Sequence, residues 1–314
     1  MLKVGIIGLG AIGQRLIKNF LENDKVEIVA ICDQSAVLVE ETAKRLNGVA
    51  TYTQFEQLIV DSNVELVYVG VPPKFHYPIV MEVLKAKKHV LCEKPLANSL
   101  DEAKRMWEAA KSTNVIHAMN FPLNYEAAAT KFARLIRENY IGKLRRIQLT
   151  MHFPEWPRFW QKNNWVGGRE QGGFVLEVGV HFIQQTLKIF GEMKNIHSQL
   201  ELPTDLTKCE TGIIATGELL DGTPVLIEGL SEIPGKEYIG YTVYGTDGVL
   251  TLENWGRLRG GKIGEELQDI DVNDQEHNHL IDELVKAIKG EKAELYDFEI
   301  GYQSQQILEQ LRNK

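Results

Sequence analysis

The sequence opens on Val4-Gly5-Ile6-Ile7-Gly8-Leu9-Gly10-Ala11-Ile12-Gly13, an apolar run that leads directly into closely spaced glycines. The amphipathic stretch from Gln14 to Phe20 follows, so the pattern predicts a strand, a tight turn and a helix. Gly8 permits the turn, Gly10 lets a ligand approach the backbone, and Gly13 allows close packing of helix on strand. This order is typical of a dinucleotide-binding turn.

The cofactor preference follows from the residues around this turn. Ala11 and Ile12 open the helix, whose positive end suits the phosphates of a dinucleotide. A second apolar run, Val26 to Cys32, ends in Asp33, about twenty residues past the last glycine. That carboxylate suits a ribose 2'-hydroxyl and repels the 2'-phosphate of NADP, and Gln34-Ser35-Ala36 offers no arginine. The sequence therefore favours NAD over NADP.

The composition fits an acidic chain with room for two domains. It has 314 residues, with 35 Lys and Arg against 43 Asp and Glu, and a net charge of -8. No basic block interrupts the mixed charges, so we expect no nucleic-acid partner. No leader pattern or long uncharged apolar stretch occurs, so we expect no membrane partner and a cytoplasmic location. Cys32, Cys92 and Cys209 are scattered and are expected to be buried thiols.

The first part of the chain alternates apolar strand candidates with helical patterns, which predicts a doubly wound parallel sheet. Ligands of such sheets bind at the carboxyl ends of the strands, and Asp33, Pro72 and Lys94 all follow strand candidates. The strand candidates are Lys3 to Ile7, Val26 to Cys32, Leu66 to Val71, Val90 to Cys92 and Val115 to Ala118, and the helix candidates are Ala36 to Leu46, His76 to Lys85 and Leu100 to Lys111.

The rhythm changes after Phe121, where runs with little helical period predict a mostly antiparallel sheet. We therefore predict an α/β protein with an N-terminal Rossmann domain at residues 1–120 and a C-terminal α+β domain at residues 121–314. The last helices are candidates for packing back on the first domain. The later elements are helices at Asn124 to Asn139, Phe174 to Phe190, His279 to Lys289 and Glu299 to Arg312, and strands at Leu144 to Phe153, Asn195 to Leu202, Thr211 to Leu220, Pro224 to Glu232 and Tyr238 to Tyr244.

Three residues are candidates for catalysis. Lys94 directly follows a strand candidate, where an amine can meet a bound nicotinamide, and Glu177 and His181 lie four residues apart on a predicted helix. Oxidising a secondary alcohol requires a group that takes the hydroxyl proton, and histidine titrates near neutrality. Lys94 can polarise the same oxygen. Glu177 can bind a substrate hydroxyl or hold the imidazole in one tautomer.

Taken together, these motifs resemble the glucose-fructose oxidoreductase and inositol dehydrogenase family (Gfo/Idh/MocA) over nearly the full chain. The resemblance rests on the glycine turn, on Val69-Gly70-Val71-Pro72-Pro73 with His76, on Glu93-Lys94-Pro95, and on Gly172-Gly173 followed by Glu177, Gly179 and His181. It implies a large open second sheet that packs against another subunit in a homodimer or homotetramer, and an active site between the domains. It also matches Lys94 and His181 to the family's catalytic positions. The implied cofactor-binding residues beyond the glycine turn and Asp33 are Val71, Pro72, His76, Glu93 and Lys94.

The sequence departs from the family pattern near the substrate. The family usually has aspartate where Glu177 stands and often a second acid where Gln184 stands, and an arginine is replaced around Leu123-Asn124. The loop before His181 can form a wall for a sugar ring, because aromatic faces bury apolar ring surface while cations hold hydroxyls. Interdomain packing or a dimer contact explains the same loop equally well. The substrate candidates are Trp156, Trp160, Trp165 and Arg169, interleaved with Arg158 and Lys162, and Gln184.

No metal site is expected, although Glu276, His277 and His279 stand close together, because histidines two apart at a helix start point to different sides. The leading hypothesis is an NAD-dependent dehydrogenase or reductase acting on a hydroxyl of a sugar, sugar derivative or cyclitol. One alternative is a redox-neutral glycosidase that uses bound NAD transiently. Another is a nicotinamide-binding sensor without catalysis, against which the retention of Lys94 and His181 argues.

Overall fold

The computed structural model of the chain describes residues 1–161, 163, 165–273 and 278–312. These residues form two compact units, each built from segments that are distant in sequence. The first unit comprises Met1–Phe121 and Asn278–Gln305, and the second takes the described residues of the remaining chain. Within the described ranges, no helix is long and apolar enough to cross a membrane.

The first unit contains a six-stranded parallel sheet with the strand order 3-2-1-4-5-6. This order confirms the predicted Rossmann sheet. Its strands all run in the same direction, and the order in which they are added reverses between the first and fourth strands. The strands are β1 (Leu2–Ile7), β2 (Val26–Cys32), β3 (Ala50–Tyr52), β4 (Leu66–Val69), β5 (His89–Glu93) and β6 (His117–Asn120), and the helices are α1 (Ala11–Leu21), α2 (Ala36–Ala43), α3 (Phe55–Val60), α4 (His76–Lys85) and α5 (Leu100–Lys111).

The second unit contains an eight-stranded sheet in which only the pairing of β7 with β10 is parallel. This confirms the predicted large, mostly antiparallel sheet. Its order is β14-β13-β12-β11-β7-β10-β9-β8, with β7 (Leu144–Phe153), β8 (Met193–Glu201), β9 (Gly212–Leu219), β10 (Pro224–Ser231), β11 (Tyr238–Gly245), β12 (Gly248–Glu253), β13 (Arg257–Lys262) and β14 (Gln268–Asp269).

Four helices complete the described chain: α6 (Ala127–Arg137), α7 (Val180–Phe190), α8 (Leu280–Ile288) and α9 (Phe298–Arg312). The helix predicted from Asn124 begins only at Ala127, because Pro122–Tyr125 forms a 3-10 turn first. The helix predicted over 174–190 begins with a π-helical turn, Val175–Gly179, before α7. The elements that the sequence pattern missed are short or rich in glycine, namely β3, α3, β12, β13 and β14.

Backbone segments approach so closely at the glycine turn that a side chain has no room there. Gly8 lies in the left-handed region at φ 99°, and a Cβ added to it would stand 2.3 Å from the Gly70 carbonyl oxygen. A Cβ on Gly13 would stand 2.0 Å from the Gly8 carbonyl oxygen. Gly10 differs, because a Cβ there would meet nothing within 4 Å. The first and third glycines are therefore required by the fold, whereas the second faces open space.

This difference predicts losses of stability of different size for two matched substitutions. We expect Gly13→Ala to lower the free energy of unfolding by about 2 kcal/mol or more, because the backbone must shift to admit the methyl group. Gly10→Ala should cost less than about 1 kcal/mol, mainly the preference for glycine over alanine at a helix N-cap. Urea unfolding of both variants measures these changes, and equal losses would contradict the packing described here.

Candidate active site

The carboxylate of Asp33 is fixed above the glycine turn. Its Oδ2 accepts a hydrogen bond from the Leu9 backbone N–H at 2.8 Å, and its Oδ1 accepts one from the Ser35 N–H at 2.9 Å. These bonds join the end of β2 to the turn after β1, at the edge where ligands of doubly wound sheets bind. Both oxygens retain a further lone pair for ribose hydroxyls.

The start of α1 has the properties of a phosphate site. Gly10 and Ala11 are exposed. The N-cap residue of α1 is Gly10, which has no side chain to accept a hydrogen bond from the first N–H groups of the helix. The first backbone N–H groups of a helix lack partners within the helix, and its dipole favours an anion there. With the open space above Gly10, the residues present fit the pyrophosphate of a dinucleotide.

His76 lies beneath this edge and ties two loops together. Its side chain is fully buried, with Nδ1 2.9 Å from the Pro95 carbonyl oxygen and Nε2 2.8 Å from that of Val71. Burial lowers the pKa of His76, while the two carbonyl contacts raise it. The ring joins the segment after β4, where Val71 and Pro72 lie, to the segment that carries Lys94. Its effect on a cofactor would therefore pass through these loops.

Glu93 also anchors the Lys94 segment from below. Its buried Oε1 accepts hydrogen bonds from the Tyr68 hydroxyl at 2.7 Å and from the Asn120 side-chain amide. Burial raises the pKa of Glu93, and the two hydrogen bonds and the Lys94 charge oppose that rise. Lys94 itself is partly exposed. The structure thus separates a buried anchor from a lysine that stands at the carboxyl edge of the sheet.

In the second unit, Glu177 and His181 lie in and just after the π-helical turn, and both side chains are buried. A π turn closes its hydrogen bonds over five residues instead of four, so the α-helical spacing used to align this pair does not carry over unchanged. Such turns occur frequently at functional sites.

Two residues that the sequence analysis missed hold the start of this segment. Glu210 is buried and accepts a hydrogen bond from the Val175 N–H at 2.9 Å, and a Cβ on Gly173 would stand 2.5 Å from the same carboxylate. Arg312 donates to the carbonyl oxygens of Arg169 and Gly172 and interacts electrostatically with Glu210. Burial raises the pKa of Glu210, and Arg312 is the largest influence opposing it. The network therefore includes a buried carboxylate that depends on Arg312 for compensation.

This network predicts a stability loss that depends on pH. A carboxyl whose pKa is raised in the folded state contributes stability at low pH and loses that contribution as the pH rises through the folded pKa. Arg312→Met removes the compensating cation, so we expect it to cost about 3 kcal/mol at about pH 8 and less at about pH 4.5. Thermal unfolding across this range measures the loss. Arg105→Met, at an exposed position of α5, is the control, and a loss independent of pH would contradict the pairing.

Trp255 is a third residue that the sequence analysis missed, and it contacts His181. The two ring centroids are 5.3 Å apart with planes at 88°, and the Phe182 ring lies 5.4 Å away on the indole at 34°. Trp255 lies between β12 and β13, where both it and Asn254 have left-handed backbone, at φ 73° and 47°. Such a conformation costs about 1 to 2 kcal/mol for a residue with a side chain. The sequence signal at this place is a short break, Asn254 to Gly256, after the apolar run of β12.

A group of buried amides continues along α7 from His181. The Asn124 amide donates to Gln184 Oε1 at 2.7 Å, and Asn124 Oδ1 accepts from Gln185 at 2.9 Å and from Lys188 at 3.4 Å. Gln184 is fully buried, and its Nε2 has no hydrogen-bond partner among the described residues. Two of the departures from the family pattern, at Asn124 and Gln184, thus lie in one connected amide cluster.

The tryptophans of the preceding loop differ in burial. Trp156 is buried and packs on Phe153 and Phe174, at centroid distances of 4.9 and 6.0 Å, which favours the packing alternative for this residue. Trp160 is 52% exposed and Trp165 is partly exposed. Packing therefore accounts for Trp156, and the aromatic wall around a sugar ring stays a prediction for this loop.

Two arginines of this loop make contacts within the second unit, Arg158 through its side chain and Arg169 through its backbone. Arg158 donates to the Glu237 carboxylate at 2.9 and 2.7 Å and lies over the Trp156 ring. Arg169 takes part in the network of Arg312 through its carbonyl oxygen. Lys162, Glu276 and His277 lie outside the described residues, and His279 is the N-cap of α8.

Comparison with known proteins agrees with this geometry. Residues 2–121 match the oxidoreductase family with an NAD-binding Rossmann fold (GFO_IDH_MocA), and residues 133–314 match the C-terminal alpha/beta domain of the same family. The chain belongs to this family. Its first unit is accordingly an NAD(P)-binding Rossmann domain.

Individual curated relatives match only part of the chain, at modest identity. The chain is 30% identical over 191 residues to myo-inositol 2-dehydrogenase of Thermotoga maritima, which covers 61% of this chain and 55% of the relative. It spans about half the length of the curated relatives it matches.

Among solved structures, levoglucosan dehydrogenase in complex with NADH superposes with a TM-score of 0.84 at 20% identity, covering 99% of this chain and 95% of that one. A 3-ketoreductase from Actinomadura kijaniata in complex with NADP and TDP-benzene gives 0.84 at 19% identity, covering 99% and 97%. At these identities the likeness shows the shared fold.

Proposed function

We propose that this protein is an NAD-dependent oxidoreductase that acts on a hydroxyl or carbonyl carbon of a sugar, sugar derivative or cyclitol. The observation that carries the proposal is the Asp33 carboxylate held over an open glycine turn, because this pairing suits a nicotinamide dinucleotide. Family membership supports the reaction class, and the relatives named for inositol and levoglucosan support the substrate class.

In this proposal the protein supplies orientation and proton transfer, while hydride exchange is the chemistry that a bound nicotinamide provides. The Lys94 amine polarises the reacting oxygen of the substrate. His181 takes the hydroxyl proton during oxidation and returns it during reduction. Glu177 binds a neighbouring hydroxyl or orients the imidazole. Gln184 stands where the family often has a second acid, which favours hydroxyl recognition over recognition of a cationic substrate.

The direct test is NADH formation, followed by absorbance, with NAD and a panel of cyclitols, aldoses, sugar acids and sugar phosphates. Lys94→Ala and His181→Ala should each lower kcat by about 100-fold or more, the usual contribution of a positioned acid or base. Lys104→Ala, on the exposed face of α5, should leave kcat unchanged.

Turnover that survives both substitutions would contradict the assigned roles. Silence of the wild-type protein that still binds NAD would instead favour a redox-neutral glycosidase or a sensor, and glycoside cleavage would be measured next.

The preference for NAD over NADP is part of the proposal and has its own test. Asp33→Asn removes the charge that repels a 2'-phosphate while keeping an oxygen acceptor. We expect the ratio of kcat/KM with NAD to that with NADP to fall by about tenfold or more, which corresponds to about 1.4 kcal/mol. Asp101→Asn on α5 is the control. An unchanged ratio would show that Asp33 does not discriminate between a ribose 2'-hydroxyl and a 2'-phosphate.

We further propose a homodimer or homotetramer that forms through the open sheet of the second unit. Strands β9, β10 and β11 expose apolar side chains there, including Ile214, Leu230 and Tyr244. Packing of this face against a second subunit would remove these side chains from water. The cytoplasmic location and the absence of a nucleic-acid partner stay predictions from the sequence.

A further inference from the structure

We propose that Trp255 is a specificity-determining residue that contacts the substrate ring beside His181. The inference rests on the proposed function and deepens it, because it assigns the recognition of an uncharged polyol ring to one side chain. The indole would cover an apolar C–H face of a pyranose or cyclitol, and its N–H would donate to a ring hydroxyl.

The position of the ring is the first argument. Trp255 lies edge-to-face with the His181 imidazole, at a centroid distance of 5.3 Å and an angle of 88°. A substrate whose hydroxyl reaches His181 from the side of the indole would contact that ring. Phe182 supports the ring on another side, at 5.4 Å. The indole is only partly buried, so some of its surface remains open to a ligand.

The unused donor is the second argument. Within the part of the chain that the structure describes, the Trp255 indole N–H makes no hydrogen bond, and it is absent from the buried side-chain atoms that lack one. Indole is a donor only, so a hydroxyl oxygen is a suitable partner. An aromatic face next to a single donor is the combination that orients a ring with one apolar face and several hydroxyls.

The backbone around the ring is the third argument. The Asn254 side chain accepts from the Ile239 N–H at 2.9 Å, and the Asn254 N–H donates to the Ile239 carbonyl oxygen at 2.9 Å. These bonds fix the turn to β11 although Trp255 is held at φ 73°, a conformation that glycine adopts without strain. The turn alone therefore does not explain a tryptophan here. Strained residues of this kind cluster at ligand-binding sites.

The competing explanation is that Trp255 merely packs on Phe182 and supports α7. A packing role predicts lower thermal stability after substitution, with no change in the relative use of different substrates. A specificity role predicts a change of KM that depends on which hydroxyls the substrate carries. The two explanations therefore give different patterns across a substrate panel.

The test uses the full chain with Trp255→Phe and Trp255→Leu. We expect Trp255→Leu to raise KM about tenfold or more with kcat changed much less, and to leave the calorimetric Kd for NAD unchanged. Trp255→Phe keeps the ring and loses the donor. It should raise KM for a substrate that carries the recognised hydroxyl and leave KM for the matching deoxy analogue unchanged.

Three comparisons make the test decisive. Trp107→Leu, in α5 where the ring stacks on Tyr302, is the matched tryptophan control and should leave KM unchanged. Trp160→Leu and Trp165→Leu test the preceding loop as the rival site. A shift of substrate preference in those two variants but not in Trp255→Leu would overturn the proposal. The proposal would also be overturned if Trp255→Leu lowered the melting temperature and lowered kcat by the same factor for all substrates. That result would favour a packing role.

A measurement of substrate binding that does not need turnover separates failure of this inference from failure of the proposed function. Calorimetric titration of the NADH complex with the same polyols reports substrate contact whether or not hydride moves. Binding that is weakened by Trp255→Leu in a protein without dehydrogenase activity would sink the proposed function and keep this inference. If no polyol of the panel binds the wild-type complex, the assignment of Trp255 is wrong.

Discussion

Three stretches of backbone meet at Gly8 with no space for a single carbon atom between them. The turn after β1, the end of β4 and the first turn of α1 approach within the distances that exclude a Cβ at Gly8 and Gly13. Because they are so close, the N-terminus of α1 points outward beside the Asp33 carboxylate. The segments that carry Val71 and Lys94 then leave neighbouring strands at the same edge, where His76 and Glu93 secure them. The shape of this edge of the sheet is therefore a consequence of backbone packing more than of any charged side chain.

Features that depend on neighbouring residues were predictable from the sequence. The glycine turn, Asp33 and Lys94 are fixed by short-range patterns and by the rule that parallel strands end at one edge, so the sheet and the edge that carries these residues followed directly. Glu210, Arg312 and Trp255 were not predictable, because each acts on the 172–182 segment from a distant part of the chain. No periodicity reports which distant carboxylate caps a helix, or which turn places its aromatic ring on a histidine.

The loop before His181 shows the limit of composition as a guide. Tryptophan and arginine suit both sugar recognition and packing, and Trp156 and Arg158 take the packing role through Phe174 and Glu237. Local spacing misleads in a similar way at Glu177 and His181, where the π-helical turn replaces the α-helical geometry that four-residue spacing implies. In both places the residue types were informative, and their arrangement depended on tertiary structure.

The hydrophobic core around β1 and β2 is completed by residues that the ribosome adds long after those two strands. Ile281, Leu284 and Val285 of α8 join that core, although the whole of the second unit's sheet lies between them and β6 in the chain. During translation, the apolar face that awaits α8 stays uncovered while the second unit is synthesised, whereas domains usually fold in order from the N-terminus. Expression of the nucleotide-binding segment alone would leave that face permanently open to water and to other chains. A soluble fragment of the first unit therefore has to include α8 as well as residues 1–121.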